Sequence, residues 1–74
     1  MTNPKSILRI DFSTGTTPLE ALTEMKEKAI MFNVAYIVST INNIEIYVSQ
    51  NAHIGDSYKK YQEGLELKRS FIVC

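Results

Sequence analysis

Val34-Ala35-Tyr36-Ile37-Val38-Ser39-Thr40-Ile41-Asn42-Asn43-Ile44-Glu45-Ile46-Tyr47-Val48-Ser49 is the stretch on which the fold turns. Its two runs, 34–41 and 44–49, are rich in β-branched and aromatic residues, the side chains that suit a pleated, half-buried surface. Between them stand two asparagines, which tolerate the positive φ that a primed two-residue hairpin turn demands. Such a turn fixes the register, setting Ile41 opposite Ile44, Ser39 opposite Ile46 and Ile37 opposite Val48. These pairs share one face and are nearly all apolar, so that face is the core face. The other face then carries Thr40 with Glu45, Val38 with Tyr47, and Tyr36 with Ser49.

Upstream, residues 6–13 alternate, with Leu8, Ile10 and Phe12 on one side and Arg9 and Asp11 on the other, the period of a half-buried strand. Ser13, Thr14, Gly15 and Thr16 are turn formers. Thr17-Pro18-Leu19-Glu20 has the pattern of a capping box with proline at the first helical position. A helix is predicted to follow, with Leu19, Ala21, Leu22, Met25, Ala29, Ile30 and Phe32 on its apolar side and Asn33 as its stop. Downstream of the hairpin, Asp56 is read as the cap of a short helix ending about Glu63, with Gly64 terminating it. Leu65 to Val73 is read as a last strand, with Leu67, Phe71 and Val73 facing the core and Lys68, Ser70 and Ile72 facing away.

The chain of 74 residues is read as one α+β domain, 1–74, that buries roughly 60% of its surface. The element order strand, helix, strand, strand, helix, strand matches the ferredoxin-like split βαβ arrangement, four antiparallel strands with both helices on one face. Right-handed crossovers favour that solution. If the second helix shrinks to a turn, the same chain becomes βαβββ with a single helix. In both cases one sheet face is left uncovered.

Composition removes several activities. Lys and Arg number 8 and Asp and Glu number 8, so the net charge is zero, and a nucleic-acid partner, which rewards a basic excess, is not expected. The single cysteine, Cys74, closes no intrachain disulfide, and with no signal-peptide pattern after Met1 the expected compartment is a reducing cytoplasm. No cofactor or metal site is expected: the sole histidine, His53, has no Cys/His cluster around it.

Two groups of residues are left as candidates. The first is the uncovered face, comprising Ile7, Arg9 and Asp11 from the first strand, Val34, Tyr36 and Val38 from the second, Tyr47 from the third and Ile72 from the last. A face meant for water would be more polar. The second is the loop Ser13, Thr14, Gly15, Thr16 and Thr17, whose hydroxyls and helix-terminal amides could hold an anion, although it lacks the glycines and lysine of a P-loop.

These features lead to the expectation of a non-enzymatic, homo-oligomeric binding module. It would act as a regulator or inhibitor of a protein or small molecule, of the kind phages and mobile elements encode. Two alternatives are a subunit interface that sequesters a small anion such as a nucleotide, and a small enzyme of ferredoxin-like topology using Asp11, Glu45 or His53. No membrane partner is expected, since no apolar run is long enough to span one.

Overall fold

A computed structural model describes residues 6–13 and 15–74. The hairpin forms as its turn chemistry demands. Strands β2 (Tyr36–Ile41) and β3 (Ile44–Ser49) pair antiparallel, with Ile41 opposite Ile44 and Ile37 opposite Val48. Asn42 and Asn43 take φ of 50° and 68°, the left-handed values of a primed turn. Ile37, Ile46 and Val48 are completely buried on the core face, and Ser39 and Ile44 nearly so.

Strand β1 (Ile7–Arg9) lies parallel to β2, and strand β4 (Phe71–Val73) lies parallel to β3. The sheet order is β1-β2-β3-β4. This corrects the antiparallel, ferredoxin-like expectation. The hairpin occupies the middle of a mixed sheet, and each crossover returns to the strand next door rather than skipping one. Helix α1 (Pro18–Phe32) makes the first crossover and helix α2 (Ile54–Leu67) the second, so the single-helix alternative does not apply either.

Both helices cover the same face. Leu22, Met25 and Ala29 of α1 and Tyr61 of α2 share one buried cluster with Ile37, Ile44, Ile46, Val48 and Ile72. A topological consequence follows. The units β1-α1-β2 and β3-α2-β4 run in opposite directions, yet both step across the sheet in the same sense, with their helices on the same side. Two such crossovers have opposite hands, so one of them is left-handed. Right-handed crossovers account for about 98% of cases, and the preference for them is what misdirects a reading of strand order from element order alone.

Helix α1 begins where its capping box places it. The Glu20 amide donates to Thr17 Oγ1 at 3.2 Å, and the Thr17 amide donates to Glu20 Oε1 at 3.4 Å. It ends at Asn33, which has φ 52°, and the Val34 amide donates back to the Ala29 carbonyl at 3.2 Å. Val34 therefore packs on the core as the apolar contact of a helix cap. It is not a strand residue of the uncovered face. The buried stripe of α1 is also narrower than periodicity predicts: Leu19, Ile30 and Phe32 are about half exposed.

Helix α2 is longer than its signals suggest. His53, not Asp56, is the cap residue, with its Nδ1 accepting from the Asp56 amide at 3.4 Å, and the helix runs through Gly64 to a left-handed cap at Lys68. Gly64 is buried where α2 crosses the sheet; a Cβ there would lie 3.4 Å from Ile44 Cδ1 and 3.5 Å from Ile72 Cγ2. The Asn42 side-chain amide also donates to the Tyr61 hydroxyl, tying the hairpin turn to this helix. Because the helix consumes residues 65–67, β4 is only three residues long, and its register reverses the expected facing. Ile72 sits opposite Ile46, 7% exposed in the core, whereas Phe71 and Val73 face outward at 59% and 44%.

Gly64 lies inside a helix, where glycine costs roughly 0.5–1 kcal/mol relative to alanine, and the space above it accepts one methyl at ordinary contact distance. Gly64→Ala is therefore expected to raise the urea midpoint by about that free energy. Gly64→Leu is expected to lower it by about 1–3 kcal/mol through overpacking against Ile44 and Ile72. A destabilised Gly64→Ala protein would show that the helix sits closer to the sheet than described.

Candidate functional site

The sheet face away from the helices is built from three rows. Ile7, Tyr36 and Ser49 form one row; Arg9, Val38, Tyr47 and Val73 the next; Thr40, Glu45 and Phe71 the third. The strand registers alone put these side chains together, since alternate residues of each strand point to the same side.

Four polar side chains on this face, Arg9, Thr40, Glu45 and Tyr47, bond one another. Arg9 Nη2 donates to Glu45 Oε2 at 2.7 Å, and Arg9 Nη1 donates to Thr40 Oγ1 at 3.2 Å. The Tyr47 hydroxyl donates to Glu45 Oε1 at 3.3 Å. The rings of Tyr36 and Tyr47 meet edge to face, their centroids 6.3 Å apart. Val38, beneath this layer, is only 4% exposed. What remains for a partner is an apolar plane with one neutralised ion pair, and Ile7 and Phe71 are each more than half exposed at its margins.

Ile7, Arg9, Tyr36, Val38 and Tyr47 thus share the face on which sequence reasoning placed them, and three other expected members do not. Val34 caps α1 and Ile72 belongs to the core, as described above. Asp11 lies beyond the end of β1, in a groove of about 680 Å³ shared with Phe12, Ser13, Thr16 and Leu19, Glu20, Thr23, Glu24 and Glu27 of α1. Phe71 and Val73 take their places, missed because β4 was given the wrong register.

The loop before α1 is poorly suited to an anion. Thr14 lies outside the described residues, and Gly15 takes φ 102°. The Thr17 hydroxyl donates to Glu20 Oε1 at 2.7 Å, and this bond, with the Thr17 amide, holds the Glu20 carboxyl below its usual range. A charged carboxylate already occupies the helix N-terminus, where an anion would otherwise be stabilised. Asp11, Glu24 and Glu27 line the same groove and add repulsion.

Asp11, Glu45 and His53, the residues considered for catalysis, lie in separate parts of the fold. Asp11 is in the α1 groove, Glu45 is paired with Arg9, and His53 caps α2 beside Asp56 Oδ2 at 3.6 Å. The Ser57 hydroxyl donates to the His53 carbonyl at 3.0 Å rather than to its ring. Among the described residues no cluster of three His, Cys, Asp or Glu could hold a metal ion, and no helix is long and apolar enough to cross a membrane.

A second concave surface runs along the outer edge of β4. Lys60 and Glu63 of α2, then Lys68, Arg69 and Ser70, border Phe71, Ile72 and Val73 around a groove of about 680 Å³. In the sequence Lys59-Lys60 and Lys68-Arg69 read as separate basic pairs interrupted by acids. The continuous helix α2 and its left-handed cap bring Lys60, Lys68 and Arg69 to one groove. Reading the helix through Gly64 to Leu67 would have revealed this.

The capping box carries a pH signature. Glu20 titrates lower when folded than its ordinary value of 4.5, so its contribution is full above that value and is lost as pH falls through the folded one. Thr17→Ala is expected to cost about 1 kcal/mol at neutral pH. It should also flatten the loss of stability as pH falls from neutrality to below the ordinary Glu20 value of 4.5. Urea midpoints across that range check both; an equally steep acid limb in the variant would show that the box does not hold the Glu20 carboxylate.

No protein-family model, curated protein or solved structure matches this chain.

Proposed function

We propose that the chain is a non-enzymatic binding module that meets a second copy of itself through the uncovered sheet face, and acts as a regulator or inhibitor of a partner held elsewhere on its surface. The observation that carries this reading is the apolar plane of Ile7, Tyr36, Val38, Tyr47, Phe71 and Val73, whose two charges among the described residues, Arg9 and Glu45, are paired 2.7 Å apart. A small chain with no disulfide gains stability by burying such a face against its own copy.

Size sets the expected strength. With strands about 4.8 Å apart and about 3.3 Å of rise per residue, two six-residue and two three-residue strands cover about 300 Å² in plan. Even allowing for side-chain relief, that is short of the roughly 800 Å² per partner of a standard interface. The dimer belongs to the weak class, and it forms only at high concentration.

The sequestration alternative, a nucleotide held at the loop before α1, has the Glu20 and Asp11 carboxylates against it. An enzyme would need an acid or base brought to a second reactive group, and Asp11, Glu45 and His53 are held apart.

Sedimentation velocity from micromolar to millimolar protein should show a reversible monomer–dimer equilibrium. Tyr47→Asp at the centre of the face and Ile7→Asp at its exposed margin should each abolish it, because a charge would be buried without a partner. Ile7 is 54% exposed, so its variant folds even if the Tyr47 one does not. A wild-type chain that stays monomeric over the whole range overturns the reading, and so does a dimer indifferent to both substitutions.

A further inference from the structure

The outer edge of β4 has the geometry of a strand acceptor. In a parallel pair, alternate residues of a strand bond to the neighbour and the others point away from it. The Ser70 carbonyl accepts from the Glu45 amide at 3.0 Å, and the Cys74 amide donates to the Tyr47 carbonyl at 2.7 Å. Phe71 and Val73 are therefore the residues whose backbone groups face outward. The Val73 carbonyl accepts from Lys60 Nζ at 3.1 Å, so the ammonium reaches from α2 to the β4 edge.

The two sides of this edge differ in chemistry. Toward the helices stand Lys60, Lys68 and Arg69, with Glu63 as the one acidic residue of the groove. Arg69 is held against α2, its amide donating to the Gly64 carbonyl at 2.9 Å. Toward the uncovered face stand Phe71 and Val73, both exposed. A strand added here would present alternate residues to these two sides. Charge complementarity asks for carboxylates on one side, and exposed apolar area asks for aliphatic residues on the other.

We propose that the β4 edge and the flank of α2 form a docking groove for an extended peptide segment of a partner protein in which acidic and apolar residues alternate. The segment pairs its backbone with Phe71 and Val73, sets its carboxylates on Lys60, Lys68 and Arg69, and lays its apolar residues beside Phe71 and Val73. This supplies the partner chemistry for the binding-module reading. Phe71 and Val73 belong to both surfaces, but the groove is tested separately from the sheet-face dimer, because its strand pairing uses backbone groups of the β4 edge and its cations come from α2 and the segment after it.

The test uses the peptide Glu-Val-Glu-Val-Glu-Val, capped at both ends, with its block isomer Glu-Glu-Glu-Val-Val-Val as the control. Titration into the isotopically labelled chain should shift the Phe71 and Val73 amide resonances and protect those amides from hydrogen exchange. The block isomer should bind at least about tenfold more weakly, and Lys60→Glu and Arg69→Glu should each reduce affinity by about tenfold or more. The monomeric Ile7→Asp variant should bind like wild type, so failure here and failure of the dimer are read separately.

Several results would overturn the proposal. Equal binding of the two peptides would mean charge attraction without strand pairing. Tighter binding of an oligothymidylate of matching charge would assign the groove to a nucleic-acid backbone. Protection of Phe71 and Val73 in concentrated chain alone, abolished by Glu24→Lys with Glu27→Lys, would make the occupant another copy's acidic α1 flank. Unchanged peptide affinity in Lys60→Ala, accompanied by new aggregation, would reduce Lys60 to an edge guard.

Discussion

The two-residue turn at Asn42 and Asn43 is the constraint on which the rest of the molecule leans. With both residues at positive φ it admits one register, and a slip of one residue would turn every side chain of β2 or β3 to the opposite face. Ile37, Ile46 and Val48 are completely buried in the observed register. A slip that turns β3 over takes Ile44, Ile46 and Val48 out of the core, and at about 1.5–3 kcal/mol for each buried aliphatic side chain it forfeits roughly 5–9 kcal/mol. That is comparable with the entire stability of an ordinary domain. The same turn positions the second helix, since the Asn42 side chain reaches the Tyr61 hydroxyl.

A central hairpin also dictates what happens at the margins. With β2 and β3 in the middle, β1 and β4 become three-residue edge strands, each in parallel pairing. In the ferredoxin-like alternative the first and third strands hold the centre and both crossovers have the favoured hand. Here one crossover takes the disfavoured hand, and the local packing has to outweigh that preference. On the α2 side, Gly64 lets the helix approach Ile44 and Ile72 closely, and this contact holds β4 beside β3.

Legibility followed the range of the interactions. Helix α1 and the hairpin are specified by residues within a few positions of one another, and Thr17, Glu20, Asn33, Asn42 and Asn43 do what their chemistry suggests. The placement of Tyr36, Val38 and Tyr47 on one face came from the same local register, and that of Ile7 and Arg9 from the alternation within residues 6–13. Strand order was not legible, because nothing near Ile7 or Ile72 says which strand each will pair with. Gly64 misled because a glycine near a helix end reads as a stop, whereas here it serves close approach from inside the helix. The true stop is Lys68 at φ 55°, a residue with no particular preference for that conformation. Extending the last strand back to Leu65 then inverted the facing of Phe71, Ile72 and Val73.

Net charge hides the local distribution of charge for a related reason. A net charge of zero argues against a polyanionic partner only if the charges are well mixed. In the fold they are sorted, with Asp11, Glu20, Glu24 and Glu27 along the groove of α1 and Lys60, Lys68 and Arg69 beside β4. The Debye length at physiological ionic strength is about 8 Å. Two opposite patches separated by more than that length do not cancel for a ligand in contact with either one. Each groove presents its own local sign, so the β4 edge acts as a basic site within a neutral protein. The total over the sequence governs solubility and long-range steering, while recognition at an edge strand is decided by the three or four charges within one screening length of it.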